Sequence, residues 1–181
     1  EGSEATLKTD GGVMIDTAKV LKADVGASNG VIHVIDSVIL PPKAILQNIG
    51  DYVAGAADFS TLATAATKAD LVGTLNSAGP FTVFAPPNSS FAKVAKSDLD
   101  ALLADKAELK KVLLHHVLSG VVTAADVKAG EVETAGKTKF TIEINGAVVT
   151  LKSKTTANVV DTDIMFLNGV VHPIDMVLLP N

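Results

Sequence analysis

The chain contains the same thirteen-residue stretch twice. One copy runs from Asn168 to Pro180 as NGVVHPIDMVLLP and the other from Asn29 to Pro41 as NGVIHVIDSVILP, with nine identical positions at a constant offset of 139 residues. A period of this length is too long for a solenoid repeat and matches the size of one independent domain. The two copies therefore predict equivalent points in two successive domains, only one of which fits completely into 181 residues.

Composition excludes several classes of function. The chain is 48% hydrophobic and 19% charged, which favours a packed globular core over disorder. All 15 basic residues are Lys and the net charge is -5, so a nucleic-acid partner is not expected. The absence of Cys excludes disulfides and thiolate catalysis. No apolar run approaches the roughly 20 residues of a membrane span, so we predict no transmembrane segment.

The order of patterns along the chain divides it in two. Residues 1–42 alternate short apolar runs with turn signals such as Asp10-Gly11 and Asn29-Gly30, which predicts strands and hairpins. From Lys43 the spacing becomes helical, and after Gly120 it returns to strands that mirror residues 6–42. We therefore predict that residues 1–42 are the C-terminal strand portion of an incomplete domain and that residues 43–181 form a complete one.

Three segments together resemble the fasciclin, or FAS1, family. They are Thr82–Phe91 (TVFAPPNSSF), Leu113–Gly120 (LLHHVLSG) and Asn168–Pro180. The resemblance implies an α+β fold, a β-sandwich or wedge of short strands with a flanking layer of helices. Two positions depart from the usual pattern: His115 stands where the family often has Tyr, and Pro87 where Thr is common.

The resemblance also implies a function. FAS1 domains are usually adhesion or matrix-interaction modules of secreted or cell-surface proteins, periplasmic in a bacterium, and carry no general catalytic activity. We expect a cell-surface or matrix protein or glycan as partner, no enzyme activity and no cofactor. Some relatives bind carotenoids, so the alternative is a carrier that holds a carotenoid or lipid between the Ala-rich helices of Ala54–Ala69 and the sheet.

The expected partner-binding surface is the helical side of the domain and the loop around Ala85–Phe91 within the first signature block, with His115 at its margin. Its candidate residues are Ala85, Pro86, Pro87, Asn88, His115 and His116. Adjacent side chains on a helix point about 100° apart, so His115 and His116 cannot chelate one ion together. His116 continues an apolar stripe and is expected in the core, whereas His115 is expected nearer the surface.

Asn88 has two interpretations. Asn88-Ser89-Ser90 fits the acceptor pattern for N-glycosylation and is the only such site. Asn is also a preferred helix cap, and here it follows two prolines, so we favour a structural role in capping a short helix.

The repeated stretch offers a His and an Asp, but we interpret Asn168, Gly169, His172 and Asp175 as a structural motif. The same residues recur in both copies at the start of the last strand, where Asn-Gly suits a turn. Backbone groups or Asp175 are expected to satisfy the His172 imidazole. No metal site is expected, and no Gly-x-Ser-x-Gly turn is present to position a nucleophile.

The strands of residues 1–42 are too few to be stable alone. We therefore expect unpaired strand edges in this segment to find a partner. The prediction is a homodimer or strand-swapped contact through residues 5–40, and the alternative is a separate chain that supplies the missing half of the domain.

Overall fold

The computed structural model describes residues 7–8, 13–15, 18–37, 44–45 and 47–180. The chain divides into two compact units, Glu1–Ala44 and Ile45–Asn181. The predicted boundary between residues 42 and 43 lies outside the described residues. The assignment of the first unit to an incomplete domain therefore stays a prediction.

The first unit contains four antiparallel strands among its described residues. They are β1 (Leu7–Lys8), β2 (Met14–Ile15), β3 (Ala18–Ala27) and β4 (Gly30–Ile35), in the order β1-β2-β3-β4. Ala27 pairs with Gly30 across a tight turn that contains Asn29, so this predicted hairpin is confirmed. The apolar run from Val31 to Leu40 predicts a strand of that length, but β4 ends at Ile35, and residues 38–40 lie outside the described part.

The second unit begins with a helical half. Its helices are α1 (Ile49–Gly55), α2 (Ser60–Lys68), α3 (Val72–Leu75), α4 (Asn88–Phe91), α5 (Lys96–Ala104) and α6 (Lys106–His115). The helical spacing of Phe59, Leu62, Ala63 and Ala66 predicts an apolar face, and in the structure Phe59, Leu62 and Ala66 are buried while Ala63 is partly buried. The helical spacing of apolar residues from Lys43 onwards predicted helix there, but strand β5 covers Ala44–Ile45 and the first helix begins at Ile49.

The remaining strands form two sheets. The central sheet has the order β5-β12-β13-β6-β7, with β6 (Phe81–Ala85), β7 (Val117–Ser119), β12 (Ile164–Phe166) and β13 (Gly169–Pro173). The outer sheet has the order β11-β10-β9-β8, with β8 (Gly130–Glu133), β9 (Lys139–Asn145), β10 (Val148–Lys152) and β11 (Thr156–Asn158). Strand β13 is antiparallel to β12 and parallel to β6.

The central sheet separates two apolar cores. Because side chains alternate along a strand, Val83 of β6 joins the core beneath the helices while Phe84 joins the core shared with the outer sheet. Val171 of β13 lies in the helical core next to Val83, its partner in the parallel register. The predicted α+β class, with short strands packed in layers and helices on one side, is confirmed.

Gly169 fixes the start of β13. Its φ of +155° is rarely adopted by residues with a side chain, and a Cβ placed there would lie 2.0 Å from the carbonyl oxygen of Phe81. That oxygen belongs to the first residue of β6, so β6 and β13 approach each other at backbone distance. Gly is therefore required at position 169 for the parallel pairing of these strands.

Gly169→Ala is expected to destabilise the domain by at least about 3 kcal/mol, because the new methyl group meets a backbone atom and the backbone conformation is strained. The control is Gly73→Ala in α3, where a Cβ meets nothing within 4 Å and loss of Gly flexibility predicts a change of about 0.5–1 kcal/mol in favour of folding. Urea denaturation measures both. Equal stability of the two variants would contradict this account.

Candidate functional site

The loop after β6 is largely buried. Ala85 and Pro86 are inaccessible, while Pro87 and Asn88 are partly accessible. Ala85 is the last residue of β6 and pairs with Pro173 in the parallel register of β6 and β13, so the central sheet holds the chain where the loop begins. Ala85 and Pro86 therefore cannot contact a partner in the folded domain, which corrects the expectation for these two residues.

Asn88 joins its loop to helix α2. Its Oδ1 accepts a hydrogen bond from the backbone N–H of Thr61 at 2.9 Å, and its Nδ2 donates to the carbonyl oxygen of Ala57 at 2.9 Å. Asn88 thus satisfies groups at the N-terminus of α2, which has no capping side chain of its own. The expected cap of its own short helix is wrong, because Pro87 occupies that N-cap position.

The first and last residues of the possible glycosylation site, Asn88 and Ser90, both form side-chain hydrogen bonds within the fold. The Asn88 amide that would carry the sugar donates to Ala57, and the Ser90 hydroxyl is buried and donates to the carbonyl oxygen of Ile174 at 2.8 Å. A glycan on Asn88 would replace one of the amide hydrogens that make these contacts. Modification would therefore have to precede folding, and glycosylation stays a prediction.

His115 is fully buried, so the expectation that it lies near the surface is wrong. Its Nδ1 lies 2.5 Å from the Thr138 hydroxyl and its Nε2 lies 2.9 Å from the Ser153 hydroxyl. Ser153 donates to the carbonyl oxygen of Leu179, so it accepts from Nε2–H of His115. Burial lowers the pKa of His115 below its usual value. Helical spacing alone could not show that Thr138 and Ser153, which flank strands β9 and β10 of the outer sheet, cover this imidazole.

His116 lies in the core, where the helical spacing places it. Its Nδ1 donates to the carbonyl oxygen of Val112 at 2.7 Å, and its Nε2 accepts from the backbone N–H of Leu178 at 2.9 Å. Burial lowers the pKa of His116 to about 4, since a charged imidazole would lose its contact with water. The neutral ring therefore ties α6 to the C-terminal segment and is not available to a partner.

His172 is buried among backbone groups. Its Nδ1 accepts from the backbone N–H of Asp163 at 3.2 Å and its Nε2 donates to the carbonyl oxygen of Val122 at 2.9 Å. Asp175 accepts from the backbone N–H of Asn158 at 2.7 Å and from the side-chain amide of the same residue at 3.2 Å. The His172 side chain holds β13, and the Asp175 side chain holds the segment just after it, to neighbouring parts of the fold, which is a structural use of the motif.

The Asn168 side chain connects the end of β12 to the helical half, a role that sequence reasoning missed. Its Oδ1 accepts from the backbone N–H of Ile49 at 3.0 Å, and its Nδ2 donates to the carbonyl oxygens of Leu75 and Ser77 at 2.7 and 2.9 Å. Its own carbonyl oxygen accepts from Phe81 N–H at 3.0 Å. We call these four hydrogen bonds the Asn168 junction. The only indication of this role in the sequence was that Asn occupies the equivalent position in both copies of the repeated stretch.

An apolar cavity of about 40 Å³ lies between the helices and the central sheet. It is lined by Val53, Leu62, Ala66, Leu71, Thr74, Leu75, Phe81, Val83, Phe84, Leu113, Leu114, His116, Val117 and Ala135. Ligand pockets for drug-sized molecules are typically about 300–1,000 Å³. This cavity is therefore too small for a carotenoid or a lipid, and nothing in its geometry supports the carrier alternative.

The buried polar groups serve the fold. Every buried side-chain nitrogen or oxygen within the described residues has a hydrogen-bond partner. The same part of the chain contains no group of three or more His, Cys, Asp or Glu side chains that could hold a metal ion. None of its helices is both long and apolar enough to cross a membrane.

Comparison with known proteins assigns the family. The model of the fasciclin domain matches residues 1–41 and 57–180. The structure also resembles that of a FAS1 domain pair from the insect cell adhesion molecule fasciclin I, with a TM-score of 0.62 and 20% sequence identity, over 97% of this chain and 66% of that one. This likeness shows the shared fold. The chain belongs to the fasciclin domain family.

Individual relatives are found in bacteria and animals. Protein sll1483 of Synechocystis is 40% identical over 136 residues, which is 74% of each chain. The transforming growth factor-beta-induced protein ig-h3 of rabbit is 34% identical and human periostin 31% identical, each over 95% of this chain. The chain spans only 25% of the length of ig-h3 and 20% of periostin.

Asn168→Ala is expected to cost about 3 kcal/mol of folding free energy, because it removes the partner of the buried backbone N–H of Ile49 and of the part-buried carbonyl oxygens of Leu75 and Ser77. Asn29→Ala provides the matched control: Asn29 is the equivalent residue of the first copy and is exposed, so a change within about 0.5 kcal/mol is expected. Urea denaturation of both variants tests the prediction. An equal effect at the two positions would show that the turn, rather than the Asn168 junction, matters.

Stability is expected to fall in acid through His116. Its pKa is about 4 in the folded state, whereas an unperturbed His in the unfolded chain has its usual pKa of 6.5, so the unfolded chain binds more protons between these pH values. The contribution is complete above pH 6.5 and is lost progressively as pH falls through 4, with a full size of about 3 kcal/mol.

The measurement is the free energy of unfolding from pH 7.5 to pH 4 in the parent chain and in His116→Gln, whose amide oxygen can still accept from Leu178 N–H. The variant is expected to lose the part of the pH dependence that His116 causes, and the exposed His33→Gln control should keep it. Identical pH profiles for all three proteins would refute this assignment.

Proposed function

We propose that the chain is a non-catalytic adhesion module of a secreted, cell-surface or periplasmic protein, and that it works by binding a protein or glycan partner. The observation that carries this proposal is membership of the fasciclin domain family, together with the structural likeness to a domain pair from an insect cell adhesion molecule. Every buried polar side-chain atom among the described residues already has a hydrogen-bond partner within the protein. Recognition of a partner would therefore use the exposed surface of the second unit.

The contact surface must differ from the expected one, because four of the expected residues are buried: Ala85, Pro86, His115 and His116. Among the described residues, Leu167 is the most exposed large apolar side chain, with 66% of its surface accessible. It precedes Asn168, and its own backbone N–H donates to the carbonyl oxygen of Gln47. A rigid turn thus presents an apolar side chain to solvent.

The repeat indicates that the turn itself does not require Leu at this position. The equivalent residue of the first copy is Ser28, which precedes Asn29-Gly30 in the same kind of turn. An exposed Leu on a preorganised backbone loses little entropy when a partner covers it. We therefore assign Leu167 as the apolar anchor of the adhesion surface, with the turn that carries it.

Leu167→Ser is expected to weaken partner binding about tenfold or more while changing the folding free energy by less than about 0.5 kcal/mol. The assay is binding of the immobilised chain to purified extracellular-matrix proteins and to a glycan array. Val148→Ser is the control, since Val148 is also exposed but lies at the β9–β10 hairpin.

Two outcomes would contradict this proposal. Failure of the folded parent chain to bind any member of either panel would count against adhesion. An equal loss for the Leu167 and Val148 variants would count against the Leu167 surface, because it would indicate non-specific apolar contact.

A further inference from the structure

The apolar cavity of the second unit approaches the protein surface at one end. Most residues that line it are buried, but at this end Thr74 is exposed, and Leu75, Phe81, Leu114 and Ala135 are partly accessible. Thr74 and Leu75 belong to α3, and Ala135 follows β8. A small molecule could therefore enter between α3 and the segment that follows β8.

Hydrogen bonds fix the backbone on both sides of this end of the cavity. On one side, the Asn168 junction binds the carbonyl oxygen of Leu75 at 2.7 Å and the N–H of Phe81 at 3.0 Å. On the other side, the backbone N–H of Ala135 donates to the carbonyl oxygen of Val117 at 2.7 Å. The cavity is thus preformed, and a ligand would bind without the entropy cost of ordering these segments.

The chemistry of the lining favours an apolar occupant over water. Thr74 and His116 are the only polar residues among those that line the cavity. Thr74 lies at the exposed end, and both ring nitrogens of His116 are already bonded, one to Val112 and the other to Leu178. A buried water needs about two to four polar partners, which this lining does not offer.

The volume limits the size of the occupant. The cavity measures about 40 Å³, which exceeds the roughly 10–15 Å³ that one water needs and is well below the roughly 150 Å³ of an apolar cavity that binds benzene. Ala66 and Ala135 leave this space, because their side chains end at Cβ. A molecule of a few heavy atoms would fill it and make dispersion contacts with the surrounding side chains.

We propose that this cavity is a binding site for one small apolar molecule, of the class of short alkanes, alkenes and halocarbons. Recognition rests on size and dispersion contacts, without a charge or a hydrogen bond to the ligand. The site is separate from the adhesion surface around Leu167, so the two proposals stand or fall independently.

The test uses the full chain with xenon and cyclopropane as probes. Methyl carbon–proton correlation spectra are recorded at increasing pressure of each gas. Saturable shifts are expected for the methyl groups of Val53, Val83 and Val117, which line the cavity, and not for those of Ile142 and Leu151, which lie in the core shared with the outer sheet. Because a ligand stabilises the state that binds it, the midpoint of urea denaturation should also rise.

Filling the cavity should abolish binding. Ala66→Val adds two methyl groups from α2 and is expected to weaken xenon binding about tenfold or more, because the added groups occupy the space. The matched control is Ala63→Val, since Ala63 lies on the same helix, is partly buried and is not among the lining residues. Ala135→Val fills the accessible end, so the test does not depend on the folding of Ala66→Val alone.

Several results would overturn the proposal. Shifts that grow with pressure without saturating, or that are equal in the two cores, would show only general solvation by the gas. Unchanged binding in the folded filling variants, or an equal loss in Ala63→Val, would place the bound molecule elsewhere. Nuclear Overhauser contacts between water and the methyl groups of Val53 and Val83 would show that the cavity holds water instead.

Discussion

The second unit depends on the Asn168 junction. Its hydrogen bonds reach the start of α1, the end of α3 and the start of β6, segments that lie 87 or more residues away from Asn168 along the chain. Gly169 follows at once and lets β13 approach the backbone of Phe81 more closely than any side chain would permit. An amide is needed because one side chain must accept from an N–H and donate to two carbonyl oxygens together, which a carboxylate cannot do.

Two buried histidines, His115 and His116, likewise connect distant segments of the second unit by hydrogen bonds. His116 accepts from Leu178, and His115 reaches the carbonyl oxygen of Leu179 through Ser153, so two adjacent imidazoles fix the same C-terminal segment. A neutral imidazole can donate with one nitrogen and accept with the other, and both rings are buried with these roles filled. Burial disfavours the charged form, so the arrangement is stable only while the rings remain neutral.

Periodicity and turn residues predicted most element types, because they depend on residues close together in the chain. The family was predicted from three segments that resemble the FAS1 signature, and the α+β class was what that resemblance implied. Predictions failed where a distant segment decides the outcome. His115 was placed near the surface because its own helix cannot show that Thr138 and Ser153 cover it. Asn88 was assigned to the wrong helix because it caps α2 from 27 residues away. Asn168 was interpreted as a turn residue because its partners lie in the helical half.

The repeat separates local from distant causes within one chain. The Asp24–His33 and Asp163–His172 hydrogen bonds have the same length, and Asp24 and Asp163 have φ values of 57° and 58°. These features form in both copies, so the hairpin sequence is sufficient for them. Among the described residues, burial after the Asn-Gly turn and hydrogen bonds from the Asn side chain to helical segments are seen in the second copy: Val170 and Val171 are each 0% exposed, and Asn168 binds Ile49 and Leu75. The repeated stretch therefore specifies a strand and its turn, whereas burial of that strand depends on its contacts with the rest of the domain.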